Sequence, residues 1–530
     1  MKTQTRNAHT YLLGDIMDIL KTGSLVARLA ACALMSGLMA LSSPALANKK
    51  DDTLRFAYDQ APESVDPYFN NVRIGVIIGA NVWDTLIYRD PETNEYKGLL
   101  AKSWKQVDDH TIDFELRQGI KFHNGEDFDA DSVVYTLNFI ADPNNKVTTQ
   151  QNVNWIAKAE KLGKYKVRLT TKGVFPAAIE YLAGPVVIHP AKYYKEVGPQ
   201  GMNAKPVGTG PYMVSQYTPG KSITLVRNPH YFADSPKAHA KIGKIEIRFI
   251  PDRQTQMAEA LSSGVDFIMY VPKDQAEQAA QVPTLQVVSG ETMRISFLQM
   301  NMQDGAPAAK ELKDIRVRKA IIHAIDRATI AKNIVGAGSR VLNTMCFPSQ
   351  FGCTDEGAPR YTYDPALSKK LLAEAGFPNG FNISILAYRE RSQVEAIINY
   401  LQAVGIKAKL NFLQYAAMRD MNRANKSELI NQTWGSFSVN DVSASTPVFY
   451  GGGKDDVTQD KQVREWLDKG NNSVDPQVRK DAYKKALTRI ADQAYGVPLW
   501  SLPVYYVANK DLSFKAYPDE LVRFWEMSWK

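Results

Sequence analysis

Two alternating runs around one turn set the reading of the chain. Between Pro206 and Tyr231, PVGTGPYMVSQYTPGKSITLVRNPHY, Tyr212, Val214 and Gln216 alternate with Met213, Ser215 and Tyr217. Pro219-Gly220 interrupts, and Ile223, Leu225 and Arg227 resume the period of two. This predicts a β-hairpin, with Gly208 and Gly210 giving the backbone freedom at its entrance. Gly220-Lys221-Ser222 has the ending of a phosphate-binding loop. Such a loop needs glycine where Ser215 stands and a helix where a strand pattern runs, so the turn reading is preferred.

The other periodicities fall on either side of this hairpin. Thr53 to Tyr58 reads as a strand leading into Ala61-Pro62-Glu63-Ser64-Val65-Asp66-Pro67. Short alternating strands follow, at Ile112, Phe114 and Leu116 and at Val167, Leu169 and Thr171. Asp129 is placed to cap a helix with Val133, Val134, Leu137 and Ile140 on one face, so 88–205 reads as an inserted α+β domain. After the hairpin, Asp252 begins a helix that ends before Gly264, and a strand runs from Val265 to Met269. Asp364-Pro365 then starts a helix that Gly376 stops. Phe381, Ile383 and Ile385 alternate; Val394, Ile397, Ile398 and Leu401 make a helical face; Gly405 stops it; Ile406, Ala408, Leu410 and Phe412 alternate again. That is a β-α-β unit, and it makes 294–497 an α/β lobe. Asp475-Pro476 opens a last long helix, and Val497 to Val507 is an apolar and aromatic run broken by two prolines.

Composition adds limits. A chain of 530 residues is too long for one core and predicts two or three domains. The formal charge is +8, but no block of five basic residues occurs, which argues against a nucleic-acid groove. Lys21 and Arg28 precede the apolar run Leu29 to Leu41, shorter than the roughly 20 residues that span a bilayer as a helix. Ala45-Leu46-Ala47 follows, so the start reads as a secretory signal peptide, residues 1–47, cleaved after Ala47. A rival, Leu29-Ala30-Ala31-Cys32, resembles a lipoprotein box, with Arg28 standing where its apolar run belongs. The exported chain then keeps Cys346 and Cys353, an even pair bounding CFPSQFGC, and a disulfide is expected.

Catalytic patterns are missing. None of the seven histidines has a metal spacing such as HExxH, and no G-x-S-x-G elbow occurs. His123 and His323 read as packed or surface histidines, and Asp108-Asp109 and Asp455-Asp456 as solvated turns.

PVGTGPY, the Pro-Gly turn and LVRNPHYF resemble the signature of extracellular solute-binding protein family 5, the peptide- and nickel-binding receptors of ABC importers. Four further matches stand in family order: LLAKSWKQVDDHTIDFELRQGIKFHNGEDFDADSVVYTL at 99–137, ALSSGVDF at 260–267, DIRVRKAIIHAIDRATI at 314–330 and YDPALSKKLLAEAGFPNGF at 363–381. The resemblance implies a type II periplasmic-binding-protein fold, mixing α/β and α+β parts in two hinged lobes. The core lobe would be discontinuous (48–87, 206–293, 498–530), with the insertion at 88–205, the second lobe at 294–497 and crossovers near 290–295 and 493–500. It implies a monomeric periplasmic receptor, without cofactor or metal and not an enzyme, that closes on a peptide or other small solute and delivers it to membrane permease subunits with separate ATPase subunits. An opine, an oligosaccharide, or a nickel or haem complex is the alternative ligand, and a secreted hydrolase a remoter alternative.

The resemblance also suggests site residues. Glu63 and Ser64 lie in the segment that borders the family's cleft. Arg389 and Arg391 follow the strand ending at Tyr388, where dipeptide receptors carry a carboxylate-binding arginine. Both also read as exposed helix-start arginines. Peptide receptors place an aspartate just after a strand-ending tryptophan to hold the ligand's ammonium. Here Phe437 stands three residues after Trp434 and the first carboxylate is Asp441, so either Asp441 reaches that point, or the ligand lacks a free amine, or Asn440-Asp441 is a structural turn. Tyr388, Tyr415, Trp434, Trp500, Tyr505 and Tyr506 fall near strand ends that a cleft would collect, or pack the core.

Overall fold

The computed structural model describes residues 51–530, Ala238 excepted. The signal peptide, its cleavage at Ala47 and Cys32 lie outside the described residues.

One ten-stranded mixed sheet runs through both lobes. Its strands are β1 (Thr53–Tyr58), β2 (Tyr212–Thr218), β3 (Ser222–Arg227), β4 (Lys244–Phe249), β5 (Phe267–Met269), β6 (Leu285–Met300), β7 (Asn382–Ala387), β8 (Lys407–Phe412), β9 (Leu429–Trp434) and β10 (Gly496–Asn509), in the spatial order β8-β7-β9-β6-β10-β5-β1-β4-β3-β2. The edge pair β2 and β3 is the expected hairpin, antiparallel from Tyr212↔Arg227 to Thr218↔Ser222. At the other edge β7 and β8 run parallel, joined by the helix Arg391–Ala403, whose Val394, Ile397 and Leu401 are buried: the expected β-α-β unit. Asp129, Asp252, Asp364 and Asp475 each accept a backbone N–H at a helix start, as read from the sequence.

β6 and β10 belong to both lobes. At about 3.3 Å per residue, β6 runs about 50 Å. It pairs with β10 from Leu285↔Asn509 to Gln299↔Gly496, but the register jumps between Glu291↔Pro503 and Ile295↔Ser501, leaving Thr292, Met293 and Arg294 in a bulge. Pro503 has no N–H to give the ladder there, which favours a break at that point. The bulge finds other partners: Thr292 Oγ donates to Leu502 O at 2.6 Å, Arg294 N to Thr292 Oγ at 3.1 Å, and Met293 N to Pro518 O at 2.8 Å. β10 is irregular opposite this bulge, at 501–503, and again at 498–500, where its register with β6 steps from Ser296↔Trp500 to Phe297↔Pro498. The Val497 to Val507 run lies within the one strand β10, and its two prolines, Pro498 and Pro503, stand at the two register breaks of the ladder with β6.

The inserted segment carries a separate four-stranded sheet, Ala101–Asp108, Thr111–Leu116, Lys166–Thr171 and Ile156–Gly163 in that order, covered by the helix Ala130–Ala141. Its core is continuous with that of the first lobe. Gly208 and Gly210 serve a close approach rather than backbone freedom. Neither has a positive φ, and a Cβ at either would lie 2.0 Å and 2.6 Å from the carbonyls of Val82 and Asn81. His123 fastens the same turn: Gly208 N donates to its Nδ1 at 3.1 Å, and its Nε2 meets Gly210 O at 3.0 Å.

Desolvation holds the His123 imidazole down at about 4, below its ordinary 6.5. Its contribution to stability is therefore complete above about pH 6.5 and disappears as the pH falls toward 4. The ring keeps some contact with water, so roughly 2 kcal/mol is the expected loss. Urea midpoints of wild type and H123N at pH 7 and pH 4.5 measure it. Equal sensitivity of the two proteins to this interval rejects the assignment.

The second lobe holds the disulfide joining Cys346 and Cys353, with Cα atoms 5.8 Å apart. A loop of this size is worth about 2 to 3 kcal/mol through the unfolded chain. After β10 the chain folds back across the first lobe. Asn81 secures it, donating to Val522 O at 2.9 Å and accepting from Phe524 N at 3.0 Å.

Candidate ligand-binding cleft

A cavity of about 360 Å³ lies where the two lobes meet. Its first wall is the helix α1 (Arg73–Val82), an apolar RIGVIIGANV stretch that buries Ile74, Ile77 and Ile78 and turns Arg73, Val76, Gly79 and Ala80 toward the cavity. The inserted segment adds Thr149, Asn152, Glu180 and Gly184, and the returning C-terminal segment adds Asp519, Leu521, Arg523 and Trp525. Arg294 in the β6 bulge and Ser438 and Val439 after β9 face them from the second lobe. Trp83, Tyr88, Tyr270 and Trp525 supply aromatic surface.

Hydrogen bonds cross directly between the lobes. Arg73 Nη1 donates to Ser438 Oγ at 2.9 Å, Ser438 Oγ to Asp519 O at 2.7 Å, and Asn440 N to Glu180 Oε1 at 2.7 Å. The backbone around them is strained, because Tyr270, Ser436, Ser438 and Glu520 all take left-handed φ between 45° and 66° without being glycine. Such conformations cost on the order of 1 kcal/mol each and gather where function holds them.

Most charges at the cavity are matched. Arg73 pairs with Glu520 at 3.2 Å, Arg89 with Glu180 at 3.1 Å, Lys237 with Asp84 at 2.7 Å and Arg523 with Asp519 at 2.6 Å. Burial pushes the Asp519 carboxyl up, but Arg523 and then Arg89 outweigh it and hold it at about 2. Burial also pushes the Glu180 carboxyl up, against the pull of Arg89. A larger depression of about 550 Å³ lies between Glu356 and the helices Lys461–Asn471 and Pro476–Asp492. It belongs to the second lobe alone.

The residues expected at the site lie elsewhere. Asp441 is 3 % exposed and held by Arg479, whose Nη2 reaches Oδ1 at 2.8 Å and Oδ2 at 3.0 Å. It also caps the turn at Val442–Ala444 through Ser443 N, so the carboxylate is not free to meet an ammonium. Arg389 and Arg391 sit at the surface, paired with Glu390 and Glu395, where such pairs contribute little. Tyr388 bonds Thr433 Oγ at 2.7 Å and packs against the exposed Tyr415. Trp434 donates to Ala444 O at 2.8 Å and meets the Phe449 ring edge-on. Glu63 accepts from Asn71 N and Ser64 donates to Asn203; neither lines the cavity, although Pro67, Asn70 and Asn71 just after them do. Trp500 and Tyr506 are core residues, and Tyr505 is 9 % exposed outside the cavity.

Arg73, Arg294, Glu180 and Asp519 escaped the sequence reading. Arg294 had a visible signal, a charge inside the apolar Met293 to Met300 stretch.

Two lobes that share long strands and meet over a polar, aromatic-walled cavity have the architecture of a solute-binding protein. The chain belongs to the bacterial extracellular solute-binding proteins, family 5, whose middle region matches residues 95–456. It is 27 % identical over 520 residues to the glutathione-binding protein GsiB of Salmonella paratyphi A, covering 94 % of this chain and 96 % of that one. Among solved structures it is similar to the ABC transporter substrate-binding protein CtaP of Listeria monocytogenes, with TM-score 0.78, 20 % identity, and 90 % and 100 % of the two chains covered. It is similar also to AgaA of A. tumefaciens R10 in complex with agropinic acid, with TM-score 0.66, 26 % identity, and 90 % and 99 % covered. Among the described residues no helix is long and apolar enough to cross a membrane.

Proposed function

We propose that the protein is the substrate-binding component of an ABC importer for peptides or closely related small solutes, a receptor rather than an enzyme. In this reading it is exported by the leader ending at Ala47 and works as a periplasmic monomer. The core lobe (48–87, 206–293, 498–530, with the 88–205 insertion) closes on the 294–497 lobe around the solute. The loaded form then docks on membrane permease subunits served by separate ATPases. The observation that carries the reading is the cavity itself, walled by both lobes beside the bulge in the two shared strands and spanned by direct hydrogen bonds. Its volume falls within the range of small-molecule sites.

A second reading, a non-peptide organic acid, is favoured by the pairing of every carboxylate at the cavity, which leaves none for an α-ammonium. Native mass spectrometry of protein purified from the periplasm identifies the carried solute: intact peptide supports the first reading, an organic acid the second, and cleaved peptide a hydrolase. Scattering of the stripped protein is expected to show a smaller radius of gyration when that solute is restored. An unchanged radius at saturation counts against a closing cleft.

A further inference from the structure

We propose that Arg294 is the anion anchor of the cleft and that the solute is selected by a carboxylate placed against it. This deepens the receptor reading above and rests on it.

Arg294 stands in the bulge of β6, where the ladder with β10 is interrupted. Bulges re-aim side chains, and this one places a cationic residue at the cavity wall. The bulge is fixed from three sides, by Thr292 on Leu502, by Thr292 beneath the Arg294 N–H, and by Pro518 on Met293. The guanidinium is cradled by Gly435, which follows Trp434, the partner of Ile295 in the register of β6 and β9. A Cβ on Gly435 would stand 3.1 Å from Arg294 Nη2 and 3.2 Å from Cζ.

Each other cation lining the cavity already has a carboxylate within 3.2 Å. The Arg294 guanidinium, half-buried, has no hydrogen bond or ion pair to any described residue. An unpaired guanidinium in a closing cleft is an incomplete arrangement. A carboxylate completes it with two parallel charge-assisted hydrogen bonds, whereas a neutral or cationic group leaves it desolvated and unmatched. Every carboxylate at the cavity is occupied, so the same chemistry predicts indifference to the solute's amino end. Because Arg294 lies in the bulge of a strand that both lobes share, an anion bound there sits at the junction between them.

The test titrates trialanine, trialanine amide, and the amino-acetylated form of each into the mature wild-type receptor, R294Q and R294K by calorimetry. The two acids are expected to bind wild type about tenfold or more tighter than the two amides. Acetylation should change affinity by less than about twofold, and R294Q should lose the preference for acid over amide while R294K retains part of it. Arg294 has no partner to orphan, so R294Q should melt as wild type does without solute. Equal binding of acids and amides by wild type, or an undiminished preference in R294Q, overturns the anchor and leaves a peptide receptor standing. If none of the four binds, the solute identified in the native mass spectrum decides. An anionic solute whose affinity falls in R294Q upholds the anchor and sets the peptide reading aside, and a neutral or cationic one overturns the anchor.

Discussion

Replacing Asp441 by asparagine is expected to lower stability by about 3 to 5 kcal/mol and to leave solute affinity almost unchanged. The reason is the pair it makes with Arg479, both residues at most 4 % exposed. Arg479 Nε donates to Gly470 O at 3.0 Å, its Nη2 spans both oxygens of Asp441, and its guanidinium lies 4.7 Å above the Phe351 ring. Asparagine can still accept from Ser443 N and keep the cap, but it cannot balance a buried guanidinium. Adding R479M to D441N should restore much of the loss, since a pair replaced as a whole leaves no orphaned charge. Urea unfolding of both variants beside wild type measures this. A normal midpoint in D441N together with a tenfold loss of affinity would move Asp441 into the site.

Asp519→Asn is expected to cost a similar 3 to 5 kcal/mol, roughly, and unlike the first change to weaken solute binding as well. Its carboxylate takes both arms of Arg523, at 3.0 Å and 2.6 Å, and stands 3.7 Å from Arg89. It also accepts from Leu521 N at 3.1 Å, which shapes the turn whose Asp519 carbonyl receives Ser438 from the opposite lobe. Removing the charge leaves Arg523, 6 % exposed, facing only the more distant Glu526 carboxylate at 3.8 Å among its salt-bridge partners, and loosens a turn that both lines the cavity and bridges the lobes. The acid profile reports the pair directly. The carboxyl is held at about 2, below its ordinary 3.8, so its share of stability is complete above about pH 4 and is lost only as the pH falls toward 2. Between pH 4 and pH 2 the wild type should lose stability that D519N has already lost. Parallel profiles for the two proteins would show that the pair contributes nothing.

Helices were legible where a local rule governs. Asp364-Pro365 and Asp475-Pro476 stood at helix starts because capping is settled within three residues of the chain. The hairpin and the β-α-β unit were legible because period two and period 3.6 are local signals. The role of Gly208 and Gly210 was not, since the carbonyls of Asn81 and Val82 that exclude their side chains come from far earlier in the chain.

The candidate site was the least legible part. Positions carried over from the family singled out Asp441, Arg389 and Trp434. In this chain Arg479, 38 residues beyond Asp441, already holds that carboxylate, and neighbouring glutamates take the exposed arginines. Arg73, Glu180, Arg294 and Asp519 become one site only when α1, the insertion, the β6 bulge and the C-terminal return are brought together.

By itself the sequence determined the elements, their caps and turns, and the family's order of motifs, because each is written in contiguous residues or in a resemblance that spans most of the chain. Tertiary structure alone decided which charges remain free. A side chain's pairing depends on partners hundreds of positions away, as Arg73 with Glu520 and Asn440 with Glu180 show, and the guanidinium left unmatched at the β6 bulge is visible only after the others at the cavity have been matched.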